Sequence, residues 1–283
     1  SEKFAGAVDT YSIEAMMKDG KAVQAGTSHY LGENFARGFN IRYLDQENQL
    51  KFVHTTSWGT STRLIGSLIM VHGDDKGLAL PPRVAPTQVI MIPVGPKKKQ
   101  PMVREKIEQF FSDIKQAGIR VRTDFGDESP GWKFNEWEMR GVPVRIEVGP
   151  RDLENHQVII ARRDTGEKQP VSMDQLVTEL PKILEDVQKQ MFRNAVRFRE
   201  DHSHYDIDSL AELKDRIASF EQNKQVVGWV LAGWCGQEAC EKDVQQQTHF
   251  TTRNIPFHPP EKKDRCISCG ESAKHTVWFA RAY

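Results

Sequence analysis

The first 93 residues combine two patterns of hydrophobic and polar positions. In IRYLDQENQLKFVHTT, two strand-forming runs flank the polar turn from Asp45 to Asn48, which predicts a β-hairpin. In STRLIGSLIMVHG, apolar residues from Leu64 to Ile69 recur at helical spacing, and Gly73 marks the predicted end of that helix. Antiparallel strands with a helix predict an α+β piece in this part of the chain.

Beyond the segment PVGPKKKQP, strands and helices alternate. This segment, from Pro93 to Pro101, predicts a domain boundary. A helix ending at Gly118 is followed by strand patterns in GIRVRTD, VPVRIEV and VIIARRD, an order typical of a compact α/β domain. One strand is expected to place four apolar side chains on a single face: Val142, Val144, Ile146 and Val148.

Two further helices are expected near Pro181. Ser172 and Gln175 form a capping-box pattern that predicts a helix start, and Pro181 is expected to break this helix and begin a second one. After Glu200, the helical pattern DSLAELKDRIASFEQNK precedes the strand pattern GWVLAGWC. The sequence therefore predicts an α+β and α/β multidomain protein divided at residues 1–93, 94–199 and 200–283.

Composition narrows the class of protein. Hydrophobic residues make up 38% and charged residues 28% of the 283 residues, as in globular proteins. The net charge is zero, so a polyanion would have to bind a local patch of charge. No run approaches the roughly 20 apolar residues of a membrane span. The first residues lack the pattern of a signal peptide and position 1 is not Met, so we expect a piece of a larger protein.

The four cysteines form two close pairs, with the spacing C-x4-C, then 25 residues, then C-x2-C. They are Cys235, Cys240, Cys266 and Cys269. Zinc binds four thiolates as a tetrahedron, and such a site leaves no open position, so the metal is expected to be structural. Gly236 and Gly270 suit the tight turns of such loops. The clustering of cysteines also indicates the cytosol.

Other fates remain open for these cysteines. They could form two disulfides, or a redox pair in the CxxC segment. Three nearby histidines are spare ligands if one thiolate is unused, although a solvated surface position is their ordinary fate: His249, His258 and His275.

Two segments have the polar character of a ligand site. QAGTSHYLGENF offers Gln24 and Thr27 for hydrogen bonds and His29 as a neutral ring. SWGTSTRLIG places an arginine, Arg63, at a helix start, which suits a phosphate-bearing ligand. Each segment alone is weak evidence, because such turns, histidines and arginines are common on protein surfaces.

Taken together, these segments resemble the region through motif 3 of class II prolyl-tRNA synthetases. SPGWKFNEWEMRGVPVRIEVGPRD and ARRDTGEK resemble the anticodon-binding domain of the same family. The four-cysteine tail and the terminal FARAY resemble the archaeal/eukaryotic type. The resemblance implies a partial class II antiparallel catalytic sheet, an α/β anticodon-binding domain with a mixed sheet, and a small α/β zinc-binding domain.

The resemblance also implies a reaction in which ATP and L-proline form prolyl-adenylate, and tRNA(Pro) then accepts the prolyl group. The matching positions imply that four residues contact ATP: Gln24, Thr27, Ser61 and Arg63. Arg63 is the motif 3 arginine, and Mg²⁺ is expected near Gln24. They imply a proline pocket at His29, Trp58 and Gly59. They further imply a cytoplasmic enzyme that is a homodimer at full length, and a Tyr283 folded back toward the catalytic domain.

The chain departs from the family at several points. Ala25 stands where many members have Gly, and Glu33 where Gln is common. Motifs 1 and 2 are absent from these 283 residues, so the polypeptide by itself is expected to be inactive. An alternative is a catalytically incomplete module that binds tRNA or assists assembly. A synthetase for threonine or glycine is a rival, against which the four-cysteine tail and terminal Tyr283 argue.

The middle segment carries the candidates for tRNA contact. Six cations lie near predicted loops: Lys133, Arg140, Arg151, Arg162, Arg163 and Lys168. Three aromatic residues are candidates for stacking on unpaired bases: Trp132, Phe134 and Trp137. The alternative is that Trp132 and Trp137 are core residues and that the arginines pair with nearby acidic residues, namely Glu138, Glu147 and Asp164.

Overall fold

The computed structural model describes residues 3–283; Ser1 and Glu2, where the first predicted domain begins, lie outside it. The chain forms two compact units. The first unit joins the segment up to Ser67 with Phe198–Tyr283, and the second unit is Leu68–Arg197. The predicted three-domain division stays a prediction, although its boundary after residue 93 would separate the strand Val89–Pro93 from the sheet to which it belongs.

The early part of the first unit contains five strands and two helices, of which the second continues to His72. They are β1 (Asp9–Met16), β2 (Ala22–Gly32), α1 (Asn34–Gly38), β3 (Arg42–Leu44), β4 (Leu50–Phe52), β5 (Thr55–Gly59) and α2 (Arg63–His72). Strands β3 and β4 pair antiparallel around the turn at Asp45, which confirms the predicted hairpin. Helix α2 confirms the predicted helix, and the N–H of Gly73 closes it on the carbonyl of Ile69 at 2.7 Å.

Strands β1, β2 and β5 form an antiparallel sheet in which β2 is central. A β-bulge interrupts the pairing of β1 with β2: Ile13 is opposite Gly26, whereas Glu14 is opposite Gln24. Ala25 therefore has no partner on β1, and the side chains on either side of it change faces.

The second half of the first unit is a four-stranded sheet with two helices, in the strand order β11-β12-β14-β13. After Asp201, the elements are β11 (Ser203–His204), α7 (Leu210–Gln222), β12 (Trp229–Trp234), α8 (Glu238–Thr248), β13 (Thr251–Thr252) and β14 (His275–Ala280). Its core includes Leu213, Val230, Phe250 and Phe279, all essentially inaccessible to solvent.

The second unit is a five-stranded mixed sheet between helices. Its elements are β6 (Val89–Pro93), α3 (Gln100–Gln116), β7 (Val121–Thr123), α4 (Pro130–Met139), β8 (Val144–Val148), α5 (Pro150–Glu154), β9 (Gln157–Arg162), β10 (Lys168–Ser172) and α6 (Leu176–Asp201). Strands β7, β6 and β8 are parallel, and β9 and β10 add antiparallel to one side. The predicted α/β domain with a mixed sheet is thus confirmed.

The two faces of this sheet have separate cores. Apolar residues of α3 and α6, such as Ile107 and Leu180, cover the face that carries Val144, Ile146 and Val148. Residues of α4 cover the other face, where Val142 packs with Ile90 and Ile92. The prediction that Val142 shares a face with Val144 is therefore wrong, because Val142 precedes the strand and lies outside its alternation.

The prediction of a helix break at Pro181 is wrong. Helix α6 runs continuously through Pro181 from Leu176 to Asp201. Its buried residues form one stripe in helical phase on both sides of the proline: Leu176, Leu180, Ile183, Leu184, Val187 and Met191. Burial of this stripe outweighs the loss of one backbone hydrogen bond. Ser172 precedes a short 3₁₀ turn, and its side chain makes no capping hydrogen bond, so the predicted capping box is also absent.

Among residues 3–283, no helix combines the length and the apolar character that crossing a membrane requires.

Candidate functional site

One face of β2 collects three of the predicted ligand-binding residues. Thr27 and His29 alternate onto this face, and the bulge at Ala25 turns Gln24 onto it as well, because Gln24 is opposite Glu14 and not opposite Ile13. Without the bulge, Gln24 would lie on the other face with Gly26. The strand register therefore brings together polar groups that simple alternation would separate.

Arg63 reaches the same place from the first residue of α2. Its Nη1 donates to the carbonyl oxygen of Gln24 at 3.4 Å, across 39 positions of sequence. Its backbone N–H donates to Oγ of Ser61 at 3.3 Å. Arg63 and Ser61 are otherwise exposed, so the guanidinium and the helix N-terminus both face solvent next to β2. The next two N–H groups, of Leu64 and Ile65, donate to the carbonyls of Ser61 and Thr62, so the feature that suits a phosphate here is the exposed guanidinium at the helix start.

His29 is held by two neighbours, while Trp58 lies elsewhere. The hydroxyl of Thr10 lies 3.1 Å from Nδ1 of His29, and the ring of Phe4 stacks on the imidazole at 4.6 Å. Gly59 is opposite Thr27, on the same face. Trp58 is opposite Ser28, on the other face, and is 79% exposed. The structure therefore brings Gly59, but not Trp58, to the face of His29.

Ala25 and Glu33, the two residues that depart from the family pattern, each have a distinct local environment. Ala25 is the bulged residue, so its side chain has no cross-strand neighbour on β1. Glu33 forms an ion pair with Arg37, and one of its carboxylate oxygens lies 3.4 Å from Nε2 of His54. The extra negative charge at Glu33 is thus compensated within the unit.

The four cysteines come together at the ends of β12 and α8 and in the following loop. Their sulfur atoms all lie within 4.8 Å of one another, and Sγ of Cys269 is 3.9 Å from Sγ of Cys235. A tetrahedral zinc site with bonds of about 2.3 Å has sulfur–sulfur edges of about 3.8 Å. All four cysteines are free, so the alternative of two disulfides does not hold here. The cluster found among the described residues contains no histidine.

Short backbone contacts shape this cluster. Gly236 and Gly270 have φ values of +85° and +71°, which residues with a side chain rarely adopt, and each follows a cysteine. The N–H of Gly270 donates to the carbonyl of Cys266 at 2.9 Å. Burial opposes ionisation of Cys266, but backbone N–H groups of Cys269 and Cys235 outweigh it and lower the pKa of this thiol to about 7. Burial and the neighbouring thiols of Cys235 and Cys269 raise the pKa of Cys240 to about 12, so the four thiols differ in acidity, although each must be a thiolate to bind a metal.

Most of the predicted tRNA-contacting cations are engaged within the second unit. Lys133 is buried, and its Nζ donates to the carbonyls of Gly126 at 2.7 Å and Asp124 at 3.2 Å. Lys133 therefore lies on helix α4 in a structural position and not in a surface loop. The other pairs are Arg140 with Glu136, Arg162 with Asp164 and Asp186, Arg163 with Asp74, and Lys168 with Glu147.

A pocket of about 160 Å³ gathers several of these cations in the second unit. The charged side chains of its lining are Lys76, Glu138, Arg145, Arg162 and Arg163, and Trp137 adds an aromatic wall. The sequence analysis missed Arg145 and Lys76. A charged residue inside the strand pattern VPVRIEV was the available signal for Arg145. The guanidinium of Arg145 stacks on Phe134 at 4.2 Å and pairs with Glu147 at 3.0 Å.

The three aromatic candidates divide between surface and core. Trp132 is 51% exposed on helix α4. Phe134 and Trp137 pack against the cluster of Ile90, Ile92 and Val142. Trp132 is thus the one of the three that presents a large surface to solvent.

The chain end forms a short extension of β2. Ala282 bridges Ala22 in parallel, and the N–H of Ala22 donates to the carbonyl of Arg281 at 2.7 Å. The hydroxyl of Tyr283 donates to Asp19 at 2.6 Å, although the residue is 65% exposed. Tyr283 is therefore fixed in place without being buried.

Comparison with known proteins gives two family models. The model described as Anticodon binding domain matches residues 88–183, and the one described as Prolyl-tRNA synthetase, C-terminal, matches residues 217–283. Together they cover most of the second unit and most of the cysteine-bearing half of the first.

Curated relatives and a solved structure extend the similarity to the whole chain. A Proline--tRNA ligase of Symbiobacterium thermophilum is 65% identical over 283 residues, which are 100% of this chain and 58% of that protein. A Proline--tRNA ligase of Clostridium novyi is 49% identical over 282 residues, which are 100% of this chain and 57% of that protein. The crystal structure of prolyl-tRNA synthetase from Cryptosporidium parvum complexed with L-proline and AMP has a TM-score of 0.89 at 36% identity, covering 100% of this chain and 60% of that one. The chain thus spans less than two thirds of the length of these relatives.

Proposed function

This chain belongs to the prolyl-tRNA synthetase family, and from that premise we propose that it is the carboxy-terminal part of an enzyme that joins L-proline to tRNA(Pro). In the first step, the carboxylate of proline attacks the α-phosphorus of ATP, and diphosphate leaves as prolyl-adenylate forms. In the second, a hydroxyl at the 3′ end of the tRNA attacks the prolyl carbonyl, and AMP leaves. Mg²⁺ enters with ATP as part of the substrate.

One observation carries this proposal: Gln24, Thr27 and His29 share a face of β2, and Nη1 of Arg63 lies 3.4 Å from the carbonyl of Gln24. In this reaction Arg63 offsets charge on the phosphates, with Ser61 beside it. Gln24 and Thr27 hydrogen-bond the nucleotide, and His29 lines the space for proline next to Gly59. These groups act by position and charge, and none of them serves as a nucleophile.

The test is proline-dependent exchange of diphosphate into ATP by the full-length protein. Arg63→Ala is expected to reduce exchange by about 10²-fold or more, the usual cost of removing one group that stabilises charge in a transition state. Arg42→Ala is the matched control, because Arg42 is an exposed arginine of the same unit that stacks on Phe52 at 4.6 Å. Equal exchange by the Arg63→Ala and Arg42→Ala variants would remove Arg63 from the mechanism.

The second unit supplies the proposed contact with tRNA. Its pocket has four cationic side chains and one acidic side chain in its lining, beside the aromatic Trp137. Each of the four cations also has a carboxylate partner, so the feature that supports this proposal is the aromatic wall beside guanidinium groups, which suits an unpaired base. By the same family reasoning, the full-length enzyme is a cytoplasmic homodimer, and the four cysteines hold one structural Zn²⁺.

A second function applies to the 283-residue polypeptide alone: tRNA binding without chemistry. Its support is that the chain spans only 58% of the length of its 65% identical relative. This polypeptide is expected to retard tRNA(Pro) in a binding assay while diphosphate exchange stays at background. Exchange above background would contradict this second function.

A further inference from the structure

A buried ion pair joins the two halves of the first unit. Arg253, directly after β13, donates to Oε2 of Glu14 on β1 from Nη2 at 3.0 Å and from Nε at 3.2 Å. The two residues are 239 positions apart in sequence. The side chain of Glu14 is 0% exposed and that of Arg253 is 7% exposed. Charges removed from water to this degree act strongly on each other and on their surroundings.

Arg253 is itself held firmly. Its N–H donates to the carbonyl of Trp278 at 2.8 Å, and its Nη1 donates to Oγ1 of Thr251 at 3.2 Å. Thr251 and Trp278 belong to β13 and β14, in the sheet that β12 shares. The guanidinium is therefore a fixed point of the cysteine-bearing half.

Glu14 stands directly opposite Gln24, across the bulge at Ala25. Cross-strand partners share a face, so the carboxylate of Glu14 and the side chain of Gln24 are neighbours. The carbonyl of Gln24 in turn accepts the hydrogen bond from Arg63. A continuous series of contacts thus runs from Arg253 through Glu14 and Gln24 to Arg63.

Stability alone does not account for this pair. Both hydrogen bonds from Arg253 go to Oε2, and Oε1 of Glu14 is buried with no hydrogen-bond partner among the described residues. A buried carboxylate oxygen without a partner is costly, and two apolar residues would often be as stable as a buried ion pair. The ion pair between Arg253 and Glu14 is better explained by its orienting β1 and β2 next to Gln24.

We propose that Arg253 is a positioning residue for the nucleotide site, acting through Glu14 to fix β1 and β2 at the bulge where Gln24 turns onto the ligand face. This inference rests on the proposed function. The chain end adds a second contact to this part of β2: the carbonyl of Arg281 accepts a hydrogen bond from the N–H of Ala22, two residues before Gln24.

The test uses the full-length protein and measures KM for ATP and KM for proline in diphosphate exchange. Arg253→Met is expected to raise KM for ATP by about tenfold, because small displacements of a binding group are costly. KM for proline should change by less than about twofold, because His29 is held separately by Thr10 and Phe4. Arg216→Met is the matched control, since Arg216 pairs with Asp206 at 2.6 Å and neither residue belongs to β1 or β2. This control should leave both constants unchanged.

Two further variants keep the proposal falsifiable if Arg253→Met folds poorly. Glu14→Gln with Arg253→Met removes the stranded charge, so stability should recover while KM for ATP stays raised. Arg253→Lys keeps the charge but loses the two-nitrogen contact, and should give an intermediate KM for ATP. Wild-type KM for ATP in the double variant, or in Arg253→Lys if the double variant does not fold, would overturn the proposal.

The outcomes for the two proposals are distinct. If the wild-type protein shows no proline-dependent exchange, the proposed function fails. If the wild type is active and Arg63→Ala is not, but the Arg253 variants keep wild-type constants, only the positioning role fails.

Discussion

The cysteine cluster and the ligand face of β2 lie in the same unit but are assembled in different ways. The cysteines span 34 positions and meet through two short turns, so their sulfur atoms lie within 4.8 Å. The ligand face needs Arg63 to reach Gln24 across 39 positions and needs a strand register with a bulge. A site made by local turns is readable from spacing alone, whereas a site made by register is not.

The two regions also differ in what their residues do for folding. Cys235 and Cys266 are buried within the second half of the first unit. Arg63 and Ser61, beside the ligand face, are exposed to solvent. Substitutions should therefore lower stability in the cluster and lower activity on the ligand face.

The largest effect is expected for Cys266→Ser. Loss of one thiolate should abolish tight zinc binding and lower the free energy of unfolding of this half by more than about 4 kcal/mol, as expected when a structural metal is lost. Metal content by elemental analysis and a thermal unfolding curve measure both. Ser268→Ala is the control: it lies between two cysteines and bonds Asp243, yet should keep the metal. Full zinc content in Cys266→Ser would rule out the four-thiolate site.

In the second unit, the same distinction applies to buried and exposed lysines. Lys133→Met should lower the free energy of unfolding by about 2–3 kcal/mol, because it leaves the carbonyls of Asp124 and Gly126 without this donor. It also removes the cation beside the carboxylate of Asp124, which keeps its hydrogen bonds from Trp137 and Gly126. Lys182→Met, at a side chain 70% exposed, should change stability by less than about 0.5 kcal/mol. Denaturant unfolding compares them, and equal effects would contradict a structural role for Lys133.

Gln24→Ala should strike the ligand face directly. The variant keeps the strand register but loses the side-chain amide proposed to bind the nucleotide, so ATP-dependent exchange by the full-length protein should fall by about 10²-fold, or roughly 2.7 kcal/mol. Ala25→Gly, at the neighbouring bulged residue, should retain activity within about twofold. Activity of the Gln24→Ala variant at the level of Ala25→Gly would show that Gln24 does not contact the nucleotide.

The smallest effect is expected at the chain end. Burial and the hydrogen bond to Asp19 raise the pKa of Tyr283 to about 12 from an ordinary value of 10.0. The raised pKa means that this hydrogen bond stabilises the folded chain fully below pH 10 and is lost as the pH rises through 12. The tyrosinate absorbance of wild type minus Tyr283→Phe should therefore titrate near pH 12. Stability should fall by less than about 1 kcal/mol in the variant. A midpoint near pH 10 would mean that the tail is not anchored.

Local signals in the sequence predicted much of the fold. The hairpin at Asp45 and helix α2 depend on residues a few positions apart, and the cysteine cluster is indicated by two closely spaced cysteine pairs; the structure has each of them. The prediction of a break at Pro181 was wrong because the sequence shows the hydrogen bond that a proline removes from a helix. It does not show how much stability the apolar stripe of this helix gains when it packs against the sheet.

The tertiary partners of charged side chains could not be predicted from the sequence. Nothing in the sequence indicates that the carbonyls of Asp124 and Gly126, nine and seven positions before Lys133, will accept its hydrogen bonds. Nothing near Arg253 indicates Glu14, 239 positions away, as its partner. The partners of such charges are set by the tertiary fold. Charges counted from sequence therefore overstated the number available to bind tRNA.

The bulge at Ala25 has a consequence for how this segment can vary among related proteins. A residue with no cross-strand partner on β1 is under little packing constraint, so Ala and Gly are both acceptable there. Loss of this residue would also preserve the pairing, because Gly26 and Gln24 would then be consecutive and remain opposite Ile13 and Glu14. A one-residue change in length can thus be absorbed at the bulge without reversing the faces of the strand, and alignments of this segment should place a single gap at Ala25.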